Sequence, residues 1–325
     1  PLVNFSPFFD GFEAHKQAVA EQLDDAFRNV GFVYLMGHEV PQGKVDECFR
    51  WPERPEETEL LAPHPPGGAH HRGYSGLGEE KVSQNVFDKE QITELRQVPD
   101  VKESFESGNV HDKAQPNIWV PEDKLPGFQT FMQCFFLDCA GLVHQVLRAL
   151  AIALSLPEKL LSDTHSQDLY QLRLLHYPSV PASVLHQGEK SRMGAYSDFG
   201  TLTLLFQDVV GGLQVEDPQQ TVVFRSAHPV EGAVLVNIGG LMMRWSNDRW
   251  KSTVHQVSAP PVSEEESQEI GEDMCADRHS IHFFATADHD ALIDALPGTW
   301  SDENTKKYEA VTTRGYVRMR MEATY

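Results

Sequence analysis

The sequence predicts an α+β fold with a mainly β core, in which helices come first along the chain and strands follow. Two observations carry this prediction. An apolar segment over residues 128–156 has the length of a long helix, and from about residue 170 the chain consists of short β-branched or aromatic runs between turn residues. Many short strands at regular spacing are typical of a sandwich, a barrel or a jelly roll.

The N-terminal third predicts one helix, one strand and a lid-like region. Apolar residues recur at three- to four-residue steps from Phe12 to Val30, as in an amphipathic helix, and Gly31 marks its end. The run FVYLM at 32–36 predicts a strand. Residues 52–125 are rich in Pro, Gly and charge, which predicts a long, partly irregular excursion.

The strands after residue 170 predict the core of the domain. They are YQLRLLHY (170–177), TLTLLF (201–206), GLQV (212–215), TVVFR (221–225), AVLVNI (233–238), STVHQV (252–257) and HSIHFFATA (279–287). The charge run in the segment 258–277 predicts an exposed acidic insertion. We expect one domain over 1–325, with an N-terminal and lid-like region (1–125), a central helix (126–169) and the β core (170–325).

Charge and composition exclude several classes of partner. The net charge of −21 repels phosphate backbones and anionic lipid surfaces, so neither nucleic acid nor membrane is an expected partner. The same charge favours a neutral or cationic small-molecule substrate. The 4 cysteines include no C-x-x-C pair, which predicts reduced thiols and a cytoplasmic location. The oligomeric state stays open.

Four polar residues of the predicted core are candidates for binding a metal and a carboxylate. Asp198 and His255 lie on separate strands and can converge inside a jelly roll. With a second histidine they would form the facial triad that holds iron(II) and leaves positions open. Arg278 and Ser280 are two residues apart, so they share one face of a strand and can grip a carboxylate. A 2-oxo-acid-dependent oxygenase requires this combination.

The chain resembles, nearly end to end, the isopenicillin N synthase-like family of iron(II)/2-oxoglutarate-dependent dioxygenases. Similar motifs follow one another in the family's order: GFVYLMGHEVP (31–41), HRGYSGLGEE (71–80), LPGFQTFMQCFF (125–136), LRALAIALSLPE (147–158), LLHYP (174–178), GAYSDFGTLTLLFQD (194–208), GGLQV (211–215), VLVNIGGLMMRWSNDRWKSTVHQV (234–257) and RHSIHFF (278–284). The order makes the resemblance specific, because one such motif alone would be weak.

The resemblance implies a fold, cofactors and site residues. The fold would be a distorted double-stranded β-helix (a jelly roll) flanked by helices, including one long central helix. Iron(II), 2-oxoglutarate and O2 would support hydroxylation, desaturation or cyclisation of a small organic metabolite. The implied roles are metal ligation by Asp198 and His255 and binding of the distal 2-oxoglutarate carboxylate by Arg278 and Ser280. Tyr177 would add a phenol hydroxyl to that cosubstrate, and Arg72 and Tyr74 would lie near the substrate mouth.

Several positions depart from the family pattern. Tyr196 stands at the first metal-histidine position, and Gly240 stands where the family usually has aspartate. Histidines replace two tyrosines, at His176 and His279, and Leu175 replaces an asparagine beside His176. His282 replaces a proline or small residue, and strand alternation places it on the face of Arg278 and Ser280, toward the substrate pocket.

Tyr196 leaves three alternatives open. Its phenolate could be a metal ligand, although phenolate prefers iron(III). The phenol could instead point aside and leave Asp198, His255 and water to hold a weakly bound metal. In the third alternative no metal binds, and the pocket binds a small molecule or catalyses an isomerisation or elimination with His282, Tyr196 or Tyr177 as acid or base.

Overall fold

A computed structural model describes residues 1–51, 62–65, 71–78, 100–181, 192–258 and 274–322. The strands are β1 Leu2–Asn4, β2 Phe32–Met36, β3 Gly73–Ser75, β4 Glu103–Gly108, β5 Gln171–Tyr177, β6 Val180–Pro181, β7 Met193–Tyr196, β8 Leu202–Gln207, β9 Leu213–Asp217, β10 Gln220–Ser226, β11 Val234–Ile238, β12 His255–Val257, β13 Met274–Cys275, β14 Arg278–Ala285, β15 Leu292–Ile293 and β16 Val311–Thr312. The helices are α1 Glu13–Asn29, α2 Gln42–Arg50, α3 Phe128–Ala153, α4 Leu160–Asp163, α5 Gly240–Trp245 and α6 Thr313–Glu322, with a 3-10 turn at Ser6–Phe9.

Two sheets form the core. The larger has the order β1-β2-β11-β8-β14-β5-β4-β3, and the smaller has the order β10-β9-β12-β7. Their inner faces meet in an apolar cluster that includes Leu175 and Leu205 from the larger sheet and Leu213 and Val257 from the smaller. This arrangement is the jelly roll expected from the regular short strands.

The helices cover the outer face of the larger sheet. The central helix α3 packs in the main core with α1 and with β8 and β14, as in the contact of Phe136 with Phe283, whose ring centres are 5.0 Å apart. By length and composition alone α3 could cross a membrane, but 61% of its most apolar 18-residue window is buried inside the domain. It is therefore placed as the central helix that the sequence predicts.

The described strands extend the core beyond the predicted boundary near residue 170. β1 and β2 lie at one end of the larger sheet, and β3 and β4 lie at the other, inside the region expected to be partly irregular. β4 escaped prediction because its charged residues are buried, as with Glu106, which pairs with Arg173 on β5. Helix α2 was also not predicted.

The acidic insertion lies mostly outside the described residues, which resume at Met274. The last residues assigned to it do not behave as an exposed loop. Met274 and Cys275 pair with Pro181 and Val180 as β13 and β6, and Cys275 is fully buried. The prediction of exposure is therefore wrong for Cys275.

His176 ties three strands of the larger sheet together. Its Nδ1 donates to Glu103 on β4 at 2.5 Å and its Nε2 donates to Asp277 at 2.7 Å. Its ring stacks on His279 of β14 at 4.5 Å, and the Tyr74 hydroxyl donates to Glu103. Both histidines that replace family tyrosines thus serve in packing and hydrogen bonding.

Gly240 makes room for the C-terminal helix beside the loop that carries Asp198. The Gly240 N–H donates to the Asp198 carbonyl at 2.7 Å, and a Cβ at Gly240 would lie 2.5 Å from the Tyr316 hydroxyl. The Arg320 guanidinium on the same helix lies 4.6 Å from the centre of the Phe199 ring. Any side chain at position 240 would meet the Tyr316 hydroxyl, so the packing of this chain favours glycine there.

We predict that Gly240→Ala destabilises the fold by about 1–3 kcal/mol, because the new methyl group must displace the buried Tyr316. Tyr316→Phe in the same chain removes the obstructing oxygen and should recover part of that loss, so the two effects should not add. Urea unfolding of the single and double variants measures this. The control is Gly43→Ala in α2, where a Cβ has nothing within 4 Å. An equal loss in both glycine variants would contradict the collision.

We predict that the stabilising effect of His176 depends on pH. Burial alone would lower its pKa, but the hydrogen bonds to Glu103 and Asp277 outweigh burial and raise the pKa above 6.5. The charged ring therefore contributes fully to the free energy of unfolding below the unfolded-state pKa of His176. That contribution is lost as pH rises through the folded-state pKa. The Tm difference between the native chain and His176→Gln should be largest near pH ~6 and shrink by pH ~9.

The control for this series is His228→Gln, whose side chain is exposed. A His176→Gln effect that is constant or grows with rising pH would show that His176 acts through packing and not through its charge.

Candidate active site

Arg278 places a positive charge deep between the two sheets. It is 0% exposed, and its three nitrogens donate to the Gly211 carbonyl at 2.6 Å, the Ser280 hydroxyl at 3.2 Å and the Gln207 side-chain carbonyl at 3.4 Å. Within the described part of the chain, no carboxylate pairs with it. A buried cation whose partners are all neutral is suited to bind an anion, and its planar fork suits a carboxylate.

Tyr177 adds a hydroxyl beside this guanidinium. It lies opposite Arg278 in the β5–β14 register, and the Arg278 Cζ lies 5.0 Å from the centre of its ring. Its hydroxyl is buried and finds no hydrogen-bond partner among the described residues. Burial raises the pKa of the phenol, so it stays protonated and can donate to a bound carboxylate. The predicted grouping of Arg278, Ser280 and Tyr177 is present, and it fits the distal carboxylate of 2-oxoglutarate.

Asp198 is held in one orientation by two donors that the sequence analysis missed. Its Oδ2 accepts from the Thr203 hydroxyl at 2.6 Å and from the Asn237 amide at 2.7 Å. These residues face each other across β8 and β11. In the sequence, the polar Asn237 within the apolar run AVLVNI was the feature that could have indicated this role. The two bonds leave Oδ1 open, 4.0 Å from the His255 Nε2.

His255 presents its other nitrogen to Asp198. Its Nδ1 donates to the Thr253 carbonyl at 3.1 Å, which leaves the lone pair of Nε2 on the side of Asp198. Metal-binding histidines commonly have this second hydrogen bond to a backbone carbonyl. One carboxylate oxygen and one imidazole nitrogen therefore converge, and these two residues fit iron(II).

Tyr196 packs against His255. It lies directly opposite His255 in the β7–β12 register, and the two ring centres are 4.2 Å apart. In the metal-free chain, burial and the negative charge of Asp198 raise the pKa of its phenol well above 10.0. A neutral phenol is a weak ligand compared with imidazole. A phenol that holds its proton this firmly favours the alternative in which Asp198 and His255 hold the metal without Tyr196, and that alternative stays a prediction.

His282 lies on the face that strand alternation predicted. Its Nε2 is 3.1 Å from the Ser280 hydroxyl, and the side chain is buried. Burial lowers the pKa of His282 well below 6.5, and the charges of Arg278 and Arg173 lower it further. The ring is therefore neutral, so it can accept a hydrogen bond but does not serve as an acid.

Arg72 and Tyr74, predicted near the substrate mouth, lie on or next to β3 and both have protein partners. The Arg72 Nη2 is 3.5 Å from Asp112, and the Tyr74 hydroxyl donates to Glu103. Their contact with a substrate stays a prediction. Sequence reasoning also missed the buried Arg173, which pairs with Glu106 and lies 5.9 Å from the centre of the Phe284 ring.

Comparison with known proteins identifies the family of this chain. Residues 1–122 match the family described as non-haem dioxygenase in morphine synthesis N-terminal, and residues 169–287 match the 2OG-Fe(II) oxygenase superfamily. The 2-oxoglutarate-dependent dioxygenase frbA of Dothideomycetidae sp. is 37% identical over 303 residues, covering 91% of this chain and 88% of the relative. Proline hydroxylase buaE of Petromyces alliaceus is 35% identical over 334 residues, covering 99% and 98%.

A solved structure extends the similarity to the whole fold. The crystal structure of a full-length Neurospora crassa protein in complex with alpha-KG matches with a TM-score of 0.86 and 37% identity, covering 100% of this chain and 96% of that one. The similarity confirms the predicted double-stranded β-helix with flanking helices and a long central helix. This chain therefore belongs to the 2OG-Fe(II) oxygenase superfamily, whose members use iron(II), 2-oxoglutarate and O2.

Proposed function

We propose that this protein oxidises a small organic metabolite with iron(II) and 2-oxoglutarate, by hydroxylation, desaturation or cyclisation. One observation carries the proposal. A fully buried guanidinium with only neutral partners, Arg278, lies in the same β core as Asp198 and His255, whose open oxygen and nitrogen are 4.0 Å apart. An anion site next to a cation site suits a cosubstrate that must bind at both ends.

Each end of the cosubstrate has its own residues. The distal carboxylate rests on Arg278 and Ser280 and accepts a hydrogen bond from the Tyr177 hydroxyl. Asp198 and His255 hold iron(II), which when bound supplies the activation of O2 that is coupled to decarboxylation of 2-oxoglutarate to succinate. The apolar cluster between the sheets, including Leu205 and Val215, excludes water from this chemistry.

The substrate is a small molecule, and two observations favour a neutral one. The net charge of −21 disfavours an anion approaching from solvent. The buried guanidinium of Arg278, which has only neutral partners, disfavours a cation inside the core. Two similar proteins support the size class, because the Neurospora crassa protein has been crystallised with thymine and buaE is named a proline hydroxylase.

A non-oxidative reaction in the same pocket is the second candidate, and Tyr196 is the observation that favours it. A phenol in place of an imidazole at the first metal position disfavours iron(II), and the neutral His282 ring lies beside Ser280 of the carboxylate clamp formed by Arg278, Ser280 and Tyr177. Release of succinate from 2-oxoglutarate with iron(II) and ascorbate distinguishes the two. If 2-oxoglutarate binds tightly and no candidate substrate elicits succinate, the second candidate is favoured.

We predict that Arg278→Lys weakens 2-oxoglutarate binding about tenfold to a hundredfold, because a lysine cannot form the two-point contact. The affinity is measured calorimetrically in the presence of a chelator, so that the carboxylate clamp is tested apart from the metal. The control is Arg244→Lys, whose guanidinium lies over Tyr308 and donates to the Glu309 carbonyl, away from the clamp. Unchanged affinity in Arg278→Lys would remove the basis of the proposal.

We predict that Tyr196→His increases both the iron content and the rate of succinate release, because a neutral imidazole replaces a protonated phenol. Metal analysis and the succinate assay are run on the two forms side by side. Tyr196→Phe is the control, since it keeps the ring and removes the oxygen, and it should match the native chain in iron content.

Equal iron content and equal activity in the Tyr and His forms would contradict this account of Tyr196. An intense visible absorption of the iron(III)-loaded native chain that disappears in Tyr196→Phe would show that the phenolate is a ligand after all.

A further inference from the structure

Arg192 is a second buried guanidinium at the end of the core where the clamp lies. It directly precedes β7 and is 1% exposed. Its Nη2 donates to the carbonyl of Ala276, two residues before Arg278. Its charge is felt at Tyr177, the residue paired with Arg278 across β5 and β14. Arg192, Arg278 and Tyr177 therefore belong to one neighbourhood.

The hydrogen bonding of Arg192 is incomplete. Its Nε and Nη1 are buried and have no partner in the described ranges, and no carboxylate there pairs with it. Other buried arginines are neutralised, as Arg173 is by Glu106 and Arg72 is by Asp112. Buried donors without an acceptor reduce the free energy of unfolding, which indicates that a bound ligand supplies the acceptors.

Two uncompensated cations in one buried region also repel each other. Burial lowers the pKa of Arg192 and the charge of Arg278 lowers it further, while Cys275, Tyr177 and Asp277 act in the opposite direction without reversing the shift. The hydroxyl of Tyr177 is a third unsatisfied donor there. A carboxylate offers acceptor sites for several donors at once and cancels one of the two charges.

We propose that Arg192 is a further cosubstrate-binding residue, which with Arg278 and Tyr177 binds the distal carboxylate of a 2-oxo dicarboxylate. The inference rests on the proposed function and extends it. Arg278 orients the carboxylate through its fork, and Arg192 adds the second charge. Together they select a cosubstrate for the negative charge at its far end, and not only for its 2-oxo acid group.

The test uses two ligands of equal chain length. 2-Oxoglutarate has a carboxylate at its fifth carbon, and 2-oxopentanoate has a methyl group there. Their dissociation constants are measured calorimetrically with a chelator present, for the native chain, Arg192→Met, Arg192→Lys and the control Arg244→Met. Arg192→Met should weaken 2-oxoglutarate about tenfold to a hundredfold and leave 2-oxopentanoate unchanged. Arg192→Lys should lie between the native chain and Arg192→Met.

The remaining outcomes each decide the inference. Unchanged 2-oxoglutarate affinity in Arg192→Met overturns it, and so does an equal loss for both ligands, which marks a structural role. If Arg192→Met does not fold, the result for Arg192→Lys decides alone. In that case the inference is overturned if Arg192→Lys binds 2-oxoglutarate with native affinity and discriminates between the two ligands as the native chain does. If the native chain binds no 2-oxoglutarate, the proposed function and the inference both fail, whereas a loss of affinity in Arg278→Lys without one in Arg192→Met overturns the inference alone.

Discussion

The burial of the Arg278 charge is the constraint on which the site depends. An ionised group inside a protein is costly unless neutral donors and acceptors surround it or a counter-ion binds. Here β14 lies between β5 and β8, so the strand register brings Tyr177 and Gln207 to the guanidinium. The Gly211 carbonyl accepts a hydrogen bond from the Arg278 Nε. Gly211 and Gly212 form a turn with φ of +80° and +90°, a conformation that glycine adopts without strain. The sheet therefore holds the positive charge of Arg278 without a counter-ion, and a bound anion would supply that counter-ion.

The site has two halves that depend on different parts of the chain. The carboxylate clamp, formed by Arg278, Ser280 and Tyr177, lies where β5, β8 and β14 are adjacent in the larger sheet. Arg192, which directly precedes β7, extends this clamp. The metal half joins Asp198, oriented by Thr203 and Asn237, to His255 on β12. Tyr196 acts mainly on the metal half, because its ring packs against His255 and no described hydrogen bond joins it to Arg278. The change at this one position is therefore compatible with an intact fold and an intact clamp.

The sequence alone predicted what local patterns encode. Alternating apolar runs identified the strands after residue 170, and the ordered motifs identified Asp198, His255, Arg278 and Ser280. Features that depend on distant partners were not predictable. β4 lacks an apolar strand pattern because Glu103 and Glu106 are buried against His176 and Arg173, which lie far along the chain. Arg192 has no local signal, since only the fold brings it near Ala276. The reason for Gly240 lies in Tyr316 of the C-terminal helix.

A crystal structure of the native chain grown with 2-oxoglutarate and manganese(II), a metal that does not react with oxygen under these conditions, tests the central claim most directly. The claim predicts the distal carboxylate on Arg278 and Tyr177, and the metal on Asp198 and His255, with the Tyr196 oxygen outside the coordination sphere. A 2-oxoglutarate molecule bound away from Arg278, or a metal bound to the Tyr196 oxygen, would contradict it.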